Sequence, residues 1–142
     1  MIEAVIGRLK EQVPDLNDRV EEAAYLADLL KTGRVDRDNV AIVVPSALQG
    51  GRADTGTGVF SQGVTETIAV VLITPSHDRN HKVARNRMRP LSRAVITALV
   101  GWRPGDELGV FALRQVRIFS VAAGRLVFQI EFSIEDQLRV SS

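Results

Sequence analysis

Residues 125–140 read RLVFQIEFSIEDQLRV, and this stretch decides the fold. Leu126, Phe128, Ile130, Phe132 and Ile134 alternate with Arg125, Val127, Gln129, Glu131 and Ser133. A period of two puts the first set on one side of a pleated strand and the second on the other. A helix, with its period of about 3.6 residues, scatters the same residues around its axis. The preceding run, GVFALRQVRIFSV at 109–121, is also extended in character, and Ala122-Ala123-Gly124 joins the two. Gly124 suits the positive φ of a tight turn. A C-terminal β-hairpin is predicted.

Moving outward, Ala84, Met88, Leu91, Val95, Ala98 and Leu99 mark the apolar face of a helix that ends at a Gly101-Trp102 turn. Trp102 is expected to be largely buried there, anchoring the turn. Pro90 falls inside this helix, which predicts a kink near Arg89 or two abutting helices. Residues 62–74, QGVTETIAVVLIT, read as one long strand, half exposed at its start and buried at its end; Pro75 and Ser76 close it. NVAIVVP at 39–45 is a β-branched run typical of a buried strand. Residues 46–61 between these strands are Gly-rich and read as a loop. Near the start, Ile2, Val5, Ile6, Leu9 and Val13 predict a helix stopped by Pro14. Arg19-Val20 suggests a brief strand. A second helix is predicted over 22–31, with Ala23, Leu26, Ala27 and Leu30 on one face and Gly33 as its stop.

The whole chain, 1–142, is read as one α+β domain. Its sheet is mixed and largely antiparallel, with four or five strands, and two to three helices pack on one face. No apolar run reaches the roughly 18 residues of a membrane span. Glu3, Lys10 and Glu11 do not fit a signal peptide. There is no cysteine, which excludes disulfides, thiolate metal sites and Cys nucleophiles. The net charge of +1 conceals a polarity: residues 1–71 carry 7 basic and 11 acidic side chains, whereas 72–142 carry 11 and 6. Such polarity bears on association more than on fold.

Chemistry is harder to find. GGRADTGTG at 50–58 spaces Gly51 and Gly56 like a phosphate-binding loop, but Thr57 stands where the lysine belongs and a strand follows instead of a helix. His77 and His81 lie four apart, with Asp78 as the only nearby acid, so they are read as polar residues opening a helix and not as metal ligands. Ser61 and Ser76 lack a nucleophile elbow. Glu66, Asp106, Glu107 and the turn Asp36-Arg37-Asp38 read as solvated charges. No catalytic constellation, cofactor site or metal site is predicted.

Three features point to association. DRNHKVARNRMRPLSR at 78–93 holds Arg79, Lys82, Arg85, Arg87, Arg89 and Arg93 against the single acid Asp78. Uninterrupted cations repel one another, and a phosphate backbone or acidic protein face would relieve this. No aromatic residue is interleaved, which argues against base stacking and for sequence-independent phosphate contact. The alternative is the solvated side of an amphipathic helix. The 46–61 loop, with Gly50, Gly51, Arg52, Asp54, Gly56 and Gly58, is long for a compact domain and reads as an assembly loop. The C-terminal strand is expected to be an exposed edge that pairs with another subunit through Gln129, Glu131, Ser133 and Glu135.

Taken in order, MIEAVIGRLKEQVPDL, VEEAAYLADLL, AIVVP with its Gly-rich loop, TETIAVVLIT, PLSRAVITALVGWRP and the closing hairpin resemble the tail terminator proteins of tailed bacteriophages. ALVGWRP after such a helix is the most distinctive part. The resemblance implies a non-enzymatic virion protein at the tail–neck junction, present in the host cytoplasm during assembly. It implies a hexameric ring that caps the tail-tube protein, stops tube polymerisation and meets a head-side connector or stopper protein, with double-stranded DNA passing through the lumen. It implies no cofactor and no membrane. Two readings compete: another neck subunit such as a connector or stopper, and a nucleic-acid-binding module using residues 79–93. A small hydrolase is the remaining alternative.

Overall fold

The computed structural model describes residues 1–32, 39–121 and 124–141. Gly33, the Asp36-Arg37-Asp38 turn and Ala122-Ala123 lie outside the described residues, as does the side chain of Leu30. Three helices and five strands follow in the order α1 (Ile2–Gln12), β1 (Val20–Glu22), α2 (Ala23–Thr32), β2 (Val40–Asp54), β3 (Val59–Pro75), α3 (Lys82–Leu99), β4 (Ala112–Val121) and β5 (Arg125–Ser141). The strands make one mixed sheet in the order β1-β2-β3-β5-β4, in which β1 runs parallel to β2 and every other pair is antiparallel.

The period-two alternation of β5 does what the sequence predicts. Leu126, Phe128, Ile130, Phe132 and Ile134 all face one core, with Ala41, Val43, Ile68, Val70 and Leu72 from the neighbouring strands. Helices α1 and α3 close that core. Val5 and Leu9 of α1 are completely buried, and Pro14 begins a short 3-10 turn that ends the helix. The six apolar positions predicted for α3 are all buried.

Helix α2 covers the opposite face, where Leu29, Val40, Ile42, Ala69, Val71, Ile73 and Val127 form a second, smaller core. Two helices therefore share one face as expected, and the third lies on the other. Its inward residues are Leu29 with Tyr25 and Leu26; Ala23 and Ala27 are exposed, so the predicted stripe is displaced around the helix. Pro90 is exposed within a single continuous α3 rather than between two helices. Ser92 Oγ donates to the Arg89 carbonyl at 2.9 Å, a side-chain back-bond in the turn that holds Pro90.

Two further differences matter for function. Residues 46–61 are not an unstructured loop. β2 runs on to Asp54, a 3-10 turn spans Gly56–Gly58, and β3 begins at Val59. Pairing between β2 and β3 continues out to Asp54 opposite Ser61, with irregularities between Pro45 and Ala47 and between Gly50 and Ala53. β5 is also not an edge. It lies between β3 and β4, paired with β3 from Val59↔Ser141 to Pro75↔Arg125. The hairpin turn keeps Gly124 at φ 70, as its sequence suggests.

Candidate assembly surfaces

The long β2–β3 hairpin and the end of β5 build an arm. Val64 and Ile134 are the outermost buried residues on β3 and β5. Beyond Val64, β3 runs five residues outward to Val59, which at the usual strand rise is about 15 Å. Leu48, Val59, Leu138 and Val140 are exposed on this arm. Every residue of the expected assembly loop lies on it: Gly50, Gly51, Arg52 and Asp54 on β2, Gly56 and Gly58 at the tip. Local bonds hold its shape. Asp54 Oδ1 accepts from Gly56 N at 3.0 Å, and Gln62 Nε2 donates to the Gly51 carbonyl at 2.9 Å. Gln137 and Ser61 hydrogen-bond through their side chains, tying β5 to β3. A Cβ on Gly51 would come within 3.2 Å of the Gly63 carbonyl oxygen, so Gly51 permits a close backbone approach at the bulge. The glycines that argued for a loop instead serve an irregular hairpin.

Arg79, Lys82, Arg85, Arg87, Arg89 and Arg93 are all exposed. Lys82, Arg85, Arg89 and Arg93, three or four residues apart, form one stripe along α3. Arg87 falls off the stripe and donates to the Pro75 carbonyl at 3.3 Å. Arg79 lies in the turn before the helix. α3 carries no acidic residue in its first turn, where the helix dipole would favour one. Asp78 compensates from outside, accepting from Lys82 N at 2.9 Å and Val83 N at 3.4 Å. Desolvation raises the pKa of Asp78, but these backbone donors outweigh it and hold the carboxyl below its ordinary value.

The pairing role expected of Gln129, Glu131, Ser133 and Glu135 is corrected by the sheet order. Over 125–133 the backbone of β5 is engaged by β3 on one side and β4 on the other. Glu135 is reached by Gly109, whose N–H donates to the Glu135 carbonyl at 2.9 Å. Glu131 is buried and accepts hydrogen bonds from Gln115 and, at 3.1 Å, from Gln129. The Gln115 amide above all, aided by Gln129, Arg117 and Arg114, holds its carboxyl below the ordinary range.

The sheet's edges are β1 and β4. β4 exposes Leu113, Val116, Ile118 and Phe119, together with the charges of Arg114 and Arg117. No periodicity in 109–121 announced this exposure, because the strand reads as apolar as a buried one. At the other edge, Met1, Ile2, Glu3, Glu22, Ala23, Val43 and Pro45 line an open cleft of about 470 Å³. A narrower slot of about 180 Å³ lies between α2 and β4, lined by Leu26, Val71, Ile73, Phe119, Arg125, Val127 and Gln129.

Ser76 is buried, and its hydroxyl bonds His81 Nδ1 at the start of α3. No group of three or more His, Asp or Glu positioned to hold a metal occurs among the described residues, and no described helix is long and apolar enough to cross a membrane.

A small α+β unit with a projecting arm and an exposed edge strand offers surfaces for association. The family described as Phage tail terminator protein matches residues 1–142, and the chain belongs to that family. Among solved structures it is similar to a chain from the virion of a native gene transfer agent particle. That likeness has a TM-score of 0.59 at 16% identity and covers 97% of this chain and 95% of the other, which speaks for a shared fold. No curated protein matches.

Proposed function

We propose that copies of this chain form a ring, hexameric in keeping with the resemblance, that caps the tail tube, stops its polymerisation and joins it to the head-side connector. The observation that carries this reading is the family match over the full length, arm and edges included. The projecting arm supports it further: Leu48, Val59, Leu138 and Val140 offer apolar contacts that a lone subunit leaves in water. In this reading Gly50, Gly51, Arg52, Asp54, Gly56 and Gly58 set the shape of the element that meets the tube or the neighbouring subunit. The subunit acts at the tail–neck junction after assembly in the host cytoplasm, makes and breaks no bond, and needs no cofactor.

The α3 stripe of Lys82, Arg85, Arg89 and Arg93 supports a second contact, with the phosphates of DNA in the lumen or with an acidic face of the connector. Such contact is independent of sequence. Tube assembly with and without the chain tests the main reading. Tubes of limited length, each with the chain at one end by labelled electron microscopy, are the expected result. Uncontrolled growth with no end-bound chain would refute termination, and binding only to connector rings would move the chain to a connector or stopper position.

A further inference from the structure

The pairing registers align residues across the entire sheet. Glu21 stands opposite Ile42, Ile42 opposite Val71, Val71 opposite Gln129, and Gln129 opposite Arg117. One row therefore begins with an acid on β1 and ends with a cation on β4. It lies on the face covered by α2, to which Ile42 and Val71 belong. The flanking rows, Val20 to Ile118 and Glu22 to Val116, pass through the other core. On that face Val116 and Ile118 are 39% and 52% exposed at one end. At the opposite end is the cleft beside Val43, lined by Met1, Ile2, Ala23 and Pro45 together with Glu3 and Glu22.

The two edges thus carry opposite charges at the same level on the α2 face, and on the other face an exposed apolar pair lies level with a partly apolar cleft. β4 runs antiparallel to β5, β5 to β3 and β3 to β2, while β1 follows β2. A second copy in the same orientation consequently brings its β4 antiparallel to β1. We propose that the β4 edge of one copy docks on the β1 edge of the next, with Arg117 against Glu21 on the α2 face. On the other face Val116 and Ile118 enter the cleft of Met1, Ile2 and Val43. The occupant is a second copy because the two edges differ in charge. A head-to-tail contact between unlike surfaces closes into a ring when its rotation permits. A two-fold β4–β4 pairing would instead set Arg114 and Arg117 against the same cations. This assignment rests on the ring reading above and names the surfaces that build it.

The lack of native cysteine makes the test clean. The double variant Glu21→Cys with Arg117→Cys, oxidised alone and on tube ends, is expected to give a ladder of covalent multimers ending at the ring. Either single variant should give none. In parallel, Arg117→Glu should raise the concentration for half-assembly about tenfold, and adding Glu21→Arg should restore it. Wild-type rings without a ladder, or undiminished assembly of Arg117→Glu, would overturn the edge assignment and leave the ring standing. Dimers from Arg117→Cys alone would overturn it in favour of two-fold pairing. Wild-type chain that forms no ring by native mass spectrometry, with or without tube protein, would overturn both readings.

Discussion

Arg8 lies over Trp102, its guanidinium carbon 5.1 Å from the ring centroid, while its Nε donates to the Ala98 carbonyl at 2.9 Å. The pair joins α1 to the end of α3. Trp102 also meets Phe111 at a centroid distance of 6.2 Å, and Phe111 in turn meets Phe132 edge-on at 6.3 Å. Trp102 packs against the core with part of its ring left in water, and Phe111 takes the fully interior position.

The first prediction follows from that division. Phe111→Ala should cost about 3–5 kcal/mol, the range for emptying a large aromatic site. Trp102→Ala should cost about 1–3 kcal/mol, because part of its ring stays in water and part of its contact is a cation–π pair. Urea unfolding of both variants checks the order. A larger loss at Trp102 would place the anchor there after all.

A second concerns acid. The folded-state pKa of Glu131 is held below its ordinary value of 4.5. Its ionised form therefore stabilises the fold above the unfolded value, and that contribution disappears as pH falls through the folded one. Glu131→Gln keeps an acceptor for Gln115 but removes the titration. Its denaturation midpoint should thus fall less steeply than wild type below about pH 4.5. Parallel acid profiles for the two proteins would count against the role given to Gln115.

The arm yields a third. Replacing residues 51–63 with a two-residue Asn-Gly turn reconnects Gly50 to Val64, which already stand opposite one another, and removes no residue described as buried. Stability should change by about 1 kcal/mol or less, whereas co-sedimentation with tail tubes should be lost. A variant that still binds tubes normally would separate the arm from tube contact.

The cationic stripe yields a fourth. Arg85→Glu, Arg89→Glu and Arg93→Glu together should leave the fold intact, since all three are exposed. If all three wild-type residues contact phosphate, the salt dependence of duplex binding should lose about 0.9 in logarithmic slope for each. An unchanged slope in fluorescence anisotropy would assign the stripe to a protein partner instead.

Much of this architecture was legible in the chain. The alternation from Leu126 to Ile134 and the helical spacing from Ala84 to Leu99 each buried the residues they indicated. Periodicity reads which side of an element faces a core. It does not read what lies beside a strand. β5 looked like an edge, yet its neighbour on one side comes from residues 59–75, a partner no local pattern reveals. Residues 46–61 failed for a related reason: glycine weakens strand propensity, and the hairpin exists because Val59–Val64 also pair with β5. The cations of α3 were visible as a cluster, and helical spacing alone sets Arg87 off the stripe; only its bond to the Pro75 carbonyl needed the structure.

The sheet is in effect two hairpins, β2–β3 and β4–β5, stitched along one seam that spans all seventeen residues of β3. A slip of one residue there would turn Phe128, Ile130 and Phe132 out of their core, so the seam admits a single alignment. Each hairpin closes locally, whereas the seam joins distant parts of the chain, so its pairing is expected to be the slow event in folding. Because Val59–Val64 pair with β5 as well as β2, the arm is expected to be complete only when the seam is, and native-state hydrogen exchange should find the central β3–β5 amides the last to open.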